Sequence, residues 1–117
     1  MLRRASVIAF AVLVVSVPVS AQLSREATSL SERAVKGRKV FEDRCYVCHQ
    51  KDSNRVKEIA PPLDGLFKRD RLITGKPVTA ENVKEIIKTG PSPRMPAFGL
   101  TLADPEIDDL IEYLKTK

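Results

Sequence analysis

Both cysteines and the single histidine of this 117-residue chain lie in one pentapeptide, Cys45-Tyr46-Val47-Cys48-His49. Residues three and four positions apart share one face of a helix, so the two thiols and the imidazole can converge on one flat group. A C-x-x-C-H run is typical of covalent haem attachment, in which each thiol bonds a vinyl group and the adjacent histidine binds the iron. The motif predicts a bound haem c with Cys45 and Cys48 as anchors and His49 as an iron ligand.

A C-x-x-C pair can also belong to a zinc site, a redox dithiol or a disulfide. A closed zinc site needs four strong ligands, so this chain could form one only between molecules. A thioredoxin-like dithiol should follow a buried strand, and nothing before Cys45 alternates like a strand. A disulfide between Cys45 and Cys48 would close a very small loop and stabilise the fold little. Haem attachment is the favoured interpretation, and a thiol-disulfide protein remains an alternative.

Residues 1–21 have the layout of a secretory signal peptide. Two arginines precede an apolar run over residues 5–17, and small residues follow up to Ala21. The run is shorter than the roughly 20 residues that span a bilayer, so a retained membrane anchor is the less favoured interpretation. We expect cleavage after Ala21 and a periplasmic or otherwise exported protein. Residues 22–34 would then lead into one domain over residues 35–117.

The charge of the chain argues against nucleic acid as a partner. Without the two arginines of the leader, 18 basic residues face 15 acidic ones, a net charge of +3, and no basic stretch is interleaved with aromatic residues. Basic residues crowd the middle of the chain, and acidic residues crowd the start of the last predicted helix. This distribution fits either a solvated surface or a docking face for an acidic redox partner.

The first predicted helix leads into the cysteine motif. Ser29 and Glu32 form a capping box, and the helical pattern continues from about Leu30 to Val47. The segment over residues 51–77 is polar, contains three prolines and two glycines, and has no sustained period. We expect it to be a long loop that packs against the haem edge.

Two further helices are predicted after this loop. Thr79 can cap a short amphipathic helix that Gly90 ends. A final helix begins with Asp104 as its N-cap and Pro105 at the first helical position, and it carries a continuous apolar stripe. The sequence therefore predicts an all-α domain with three main helices.

A methionine in a proline-rich strap is the candidate second iron ligand. Met95 is the only methionine left after removal of the leader, and Pro91, Pro93 and Pro96 surround it. A lone methionine more often fills a gap in a core. However, a His/Met pair is a common haem ligation, and the mature chain has no second histidine. We therefore expect Met95 and His49 to be the two axial ligands, a pair that suits reversible one-electron transfer.

The stretch over residues 60–69, Ala-Pro-Pro-Leu-Asp-Gly-Leu-Phe-Lys-Arg, resembles the Gly-Pro-x-Leu-x-Gly-x-x-x-Arg segment of the class I cytochrome c family. The resemblance implies that the carbonyl of Pro61 accepts a hydrogen bond from the imidazole of His49. It also implies that Leu63 lines the haem pocket and that Arg69 lies near a haem propionate.

The predicted first and last helices are also similar to the crossing terminal helices of that family. Gly37 and Phe41 would meet Leu110 and Tyr113, and Gly37 would permit close approach of the two backbones. A glycine inside a helix costs about 1 kcal/mol relative to alanine, so a packing reason is needed for it.

Together these patterns predict a small cytochrome c fold, three main helices around one haem c. The expected function is an exported one-electron carrier, not an enzyme, with other redox proteins as donor and acceptor. It would be a monomer or a subunit of a redox complex, without stable membrane insertion after leader removal. One alternative is an electron-transfer subunit of a larger periplasmic oxidoreductase. Another is a haem-based sensor or peroxidase with a dissociable Met95.

Overall fold

The computed structural model describes residues 19–50, 60–91 and 93–117. In these segments the chain is helical, with no β-strand beyond one isolated bridge between Arg71 and Pro77. This confirms the all-α prediction. Most of the expected leader, and the first part of the expected long loop, lie outside the described residues.

Three α-helices and three short helical turns follow one another along the described chain. The α-helices are α1 (Val19–Val40), α2 (Ala80–Thr89) and α3 (Asp104–Lys115). A π-helical turn, Phe41–Cys45, continues α1 directly, and 3-10 turns occur at Leu66–Lys68 and Phe98–Leu100. The predicted three main helices are therefore present.

Helix α1 begins at Val19, well before the predicted start near Leu30, and the capping box expected at Ser29 is wrong. The hydroxyls of Ser24 and Thr28 donate hydrogen bonds to carbonyls one turn back, at 3.1 and 2.9 Å. Hydroxyl side chains inside a helix can use their hydrogen-bonding capacity in this way instead of ending it. With no proline or glycine between residues 19 and 34, nothing in the sequence interrupts the helix earlier.

Helices α1 and α3 cross at Gly37, where their backbones are in contact. A Cβ atom at Gly37 would collide with the carbonyl of Asp109 and would lie 2.8 Å from the main-chain nitrogen of Leu110. One turn earlier, Arg33 Nε donates to Asp109 Oδ1 at 2.9 Å. The packing reason that the sequence demanded for Gly37 is thus this close crossing.

Opposite charges join α2 to α3. Lys84 Nζ donates to Asp108 Oδ1 at 2.6 Å, and Lys88 Nζ donates to Asp104 Oδ1 at 2.7 Å. The hydrogen bond from Lys88 is the main cause of a lowered pKa for the Asp104 carboxyl. Much of the acidic charge at the start of α3 is therefore paired within the fold, which favours the structural interpretation of these carboxylates.

Helix α3 has Ala103 as its N-cap, so the prediction of Asp104 in that position is wrong. Ala103 is extended, with φ −71° and ψ 152°, and its N–H donates to Glu106 Oε2 at 2.8 Å. Glu106 thus supplies a cap that an alanine side chain cannot. Asp104 is the first helical residue, where a carboxylate still favours the positive end of the helix dipole.

The core lies between the three helices and the turn at Leu66–Lys68. Phe41 packs against Tyr113, with 5.4 Å between ring centres. Within the described part of the chain, the buried apolar side chains of the core are Phe41, Leu66, Val83, Ile87, Leu102, Ile107, Leu110, Ile111 and Leu114.

No helix in the described ranges is both long enough and apolar enough to cross a membrane.

Candidate functional site

A cavity of about 520 Å³ opens between the cysteine motif, the loop after residue 60, α2 and the methionine strap. This volume is in the range of roughly 300–1,000 Å³ that is usual for cofactor sites. All seven predicted site residues line the cavity: Cys45, Cys48, His49, Pro61, Leu63, Arg69 and Met95. Chain segments far apart in sequence thus meet around one space.

The cysteine motif enters the cavity through the π turn at the end of α1. The N–H of Tyr46 donates to the carbonyl of Phe41 at 2.8 Å, five residues back. The N–H groups of Cys48 and His49 then both donate to the carbonyl of Cys45, at 3.1 and 2.9 Å. The α-helix therefore ends at Val40, earlier than the predicted Val47, and a tight turn presents both thiols and the imidazole.

The imidazole of His49 has a defined tautomer. Its Nδ1 lies 2.6 Å from the carbonyl oxygen of Pro61. A carbonyl oxygen can only accept, so Nδ1 carries the proton and donates it. The lone pair of Nε2 is then available to a metal. The Pro61 carbonyl orients the ring and makes Nε2 a stronger electron-pair donor to that metal. The contact that the family resemblance implied is present.

Leu63 is half-buried against the core at the cavity wall. Arg69 lines the cavity as well, and it has a second task that the sequence did not suggest. Its Nη2 donates to the carbonyl of Pro62 at 2.7 Å and to that of Asp64 at 2.9 Å. The guanidinium therefore holds the turn after Pro61, and the expected contact with a propionate remains a prediction.

Met95 reaches the cavity on a strap that is fixed to the end of α2. Thr79 caps this helix, accepting from the N–H of Asn82 at 3.2 Å, and Gly90 ends it in a left-handed conformation with φ 61°. A Cβ at Gly90 would lie 2.5 Å from the carbonyl oxygen of Met95. Only glycine satisfies both the backbone angle and this close approach.

Replacing Gly90 by alanine should displace the strap. Both the left-handed angle and the collision with the Met95 main chain oppose a side chain there, so we expect a loss of about 2–3 kcal/mol in the free energy of unfolding. Urea denaturation of the haem-loaded protein measures this loss. Gly75→Ala is the matched control, because Gly75 also has a positive φ, 81°, but lies in open space. Equal losses in both variants would contradict a role for close packing at Gly90.

Several lining residues were not identified from the sequence. Three further arginines, Arg44, Arg71 and Arg94, join Arg69 at the cavity, and none of the lining residues that the structure describes is acidic. From the sequence, the basic residues were interpreted as a solvated surface or a docking face, and only Arg69 was expected near the haem. Ile73 is 82% exposed yet lines the cavity. An isoleucine within an otherwise polar loop is the sequence signal that could have identified it.

The two cysteines do not form a disulfide with each other, and the surroundings of Cys45 do not suit a redox dithiol. Burial, and secondarily the neighbouring Cys48, raises the pKa of the Cys45 thiol to about 11. Reactive redox cysteines instead have a lowered pKa, which keeps the thiolate present at neutral pH. The thiol-disulfide alternative therefore loses support.

A small all-α domain with a C-x-x-C-H motif at the edge of a largely apolar cavity defines a c-type haem-binding protein. The profile of the family described as cytochrome c oxidase, cbb3-type, subunit III matches residues 32–114. The chain is also 31% identical over 81 residues to cytochrome c6 of Gracilaria tenuistipitata var. liui, covering 69% of each chain. No solved structure gives a significant match. The chain belongs to the monohaem c-type cytochrome family.

Membership of this family means that the protein carries covalently bound haem c. It also assigns the protein to haem-based electron transfer between redox partners, a function that is generally not enzymatic. The residues present fit the group. The cavity is largely apolar, as a macrocycle requires, and the positive charge of the arginines that line it suits a group with two carboxylates.

Proposed function

We propose that the protein is an exported one-electron carrier whose haem is attached to Cys45 and Cys48 and ligated by His49 and Met95. The observation that carries this proposal is the hydrogen bond from His49 Nδ1 to Pro61, at the wall of a cavity that Met95 also lines. The bond leaves Nε2 as the donor atom, and Met95 is the only thioether in the described chain.

Each part of the chain has a task in this proposal. Bound haem supplies an iron that changes its charge by one electron. The Pro61 carbonyl orients the imidazole of His49 and raises its basicity. The thioether of Met95 favours the ferrous state, which raises the reduction potential. Apolar side chains such as Leu63 and Ile86 exclude water from the cavity, so little solvent must rearrange when the electron moves.

Covalent attachment can be tested directly. The purified wild type should keep haem through a denaturing gel, and its mass should exceed that of the polypeptide by one haem. Cys45→Ala/Cys48→Ala should lose both signals, because no thiol remains to bond the vinyl groups. Val47→Ala is the matched control, since Val47 lies between the cysteines and is exposed. A wild-type chain with two titratable thiols and no haem would disprove the proposal.

A second candidate function is a fixed electron-transfer subunit of a larger oxidoreductase. It is favoured by the match over residues 32–114 to a family described as an oxidase subunit. The similarity to cytochrome c6 over 81 residues favours the free carrier instead. Size-exclusion chromatography of a native extract separates the two. A free carrier elutes as a small protein, whereas a subunit elutes with a stable larger complex.

A further inference from the structure

The segment over residues 61–66, here called the proline loop, carries the carbonyl that accepts the His49 hydrogen bond. It has few means of holding its own shape, because Pro61 and Pro62 have no N–H to donate. Within the loop, one main-chain hydrogen bond is present, from Leu66 N–H to the carbonyl of Leu63 at 3.1 Å. The position of the Pro61 carbonyl therefore depends on contacts from outside the loop.

Besides the main-chain bonds that Lys68 and Arg69 donate at the end of the loop, two residues supply contacts with their side chains. Arg69, just after the loop, holds two of its carbonyls. The second residue, Lys117, follows α3 and is distant from the loop in sequence. Its main-chain oxygen accepts from the N–H of Gly65 at 3.2 Å, and its Nζ lies 3.4 Å from Asp64 Oδ1. Lys117 thus contacts two consecutive residues of the proline loop with both its main chain and its side chain.

The ammonium group of Lys117 is itself held in place by two aromatic rings. It lies 4.8 Å from the ring centre of Phe41 and 5.5 Å from that of Tyr113. Both distances allow a cation–π interaction, and the side chain is only 21% exposed. Because Phe41 begins the π turn that leads to Cys45, this lysine connects the cysteine motif, α3 and the proline loop.

Building on the proposed ligation by His49, we propose that Lys117 is a positioning residue that holds the proline loop against His49 and thereby sets the reduction potential. A firm hydrogen bond to the Pro61 carbonyl makes the imidazole a more basic ligand, which favours ferric iron. A loosened loop weakens that bond and favours ferrous iron. Loss of Lys117 should therefore raise the potential.

The sign of the change in reduction potential distinguishes a positioning role of Lys117 from a simple effect of its charge. Lys117→Met removes the ion pair and both ring contacts while keeping the main-chain bond to Gly65. Loss of a positive charge alone favours ferric iron and lowers the potential, whereas a loosened loop raises it. We expect a raised potential. In the reduced holoprotein we also expect about tenfold faster hydrogen exchange of the Gly65 amide and of the His49 Nδ1–H, measured by NMR.

Matched variants complete the test. Lys36→Met removes the same charge from an exposed site on α1 and should change neither exchange rate. Lys117→Arg retains a cation at the rings and at Asp64, so it should restore wild-type values. Asp64→Asn breaks the ion pair without touching the Arg69 bond, which is to the Asp64 main chain. It serves if Lys117→Met does not fold, with faster exchange as its expected result, because loss of a negative charge by itself also raises the potential.

Two results would overturn the inference. One is wild-type exchange rates in Lys117→Met, and the other is a lowered potential in that variant. The exchange of the Gly65 amide does not depend on what His49 ligates, so it tests Lys117 even if the proposed ligation fails. That failure would be seen separately, in the spectrum of the wild type.

Discussion

Replacing Gly37 by alanine should destabilise the protein by about 3 kcal/mol or more, at the upper end of the usual cost of overpacking. The added methyl would collide with the carbonyl of Asp109 where α1 and α3 cross. Main chain cannot move aside as a flexible side chain can, so the helices must separate and open the core around Phe41. Urea denaturation of the haem-loaded protein, followed by circular dichroism at helical wavelengths, measures the loss.

Val35→Ala is the control for Gly37→Ala. Val35 is on the same helix but is 68% exposed, so its truncation should change the free energy of unfolding by less than about 0.5 kcal/mol. Alanine is intrinsically the better helix former at both positions. A Gly37→Ala variant as stable as the wild type would therefore show that the two backbones are not in contact.

Replacing Met95 by alanine should lower the reduction potential by an amount on the order of 0.1 V, within the range of about 0.8 V that axial ligands set. The thioether favours ferrous iron, and alanine offers no donor atom in its place. The weak absorption band that reports sulfur bonded to ferric iron should also disappear. Redox titration and the visible spectrum measure the two effects independently.

Ile86→Ala is the matched control for Met95→Ala. Ile86 also lines the cavity but carries no donor atom, so its truncation should leave the sulfur band intact. An unchanged band and potential in Met95→Ala would remove this methionine from the site. Binding of CO by the reduced wild type at neutral pH would instead favour a sensor or peroxidase with a dissociable Met95.

The parts of the fold that local chemistry determines could be predicted from the sequence. Thr79 and Gly90 delimit α2 as expected, because a hydroxyl cap and a left-handed glycine act within one helical turn. The all-α class followed from periodicity in the same way. At the start of α3, the sequence indicated Asp104 as the cap. The side chain of Glu106, which caps Ala103 instead, acts from three residues away.

The parts that depend on distant contacts could not be predicted in the same way. Cys45, Cys48 and His49 form one motif, but the approach of Pro61 to His49 was inferred by resemblance and not from the residues themselves. The role of Lys117 had no signal at all, because it depends on where α3 ends relative to the proline loop. The sequence also contains no residue that predicts the π turn at the end of α1.

Because of that π turn, one continuous helical segment contacts both helix α3 and the cavity. Helix α1 faces α3 through Gly37, whereas Cys45 faces the cavity. Each residue of an α-helix adds about 100° of rotation, and the bond from Tyr46 to Phe41 takes one residue more per turn than the α-helical pattern. The π turn therefore changes the direction of Cys45, relative to Gly37, by about the rotation of one residue. An α-helical turn over the same residues would rotate Cys45 by about 100° from its position beside the cavity, so the shape of this turn, and not only its residues, determines where the thiols lie.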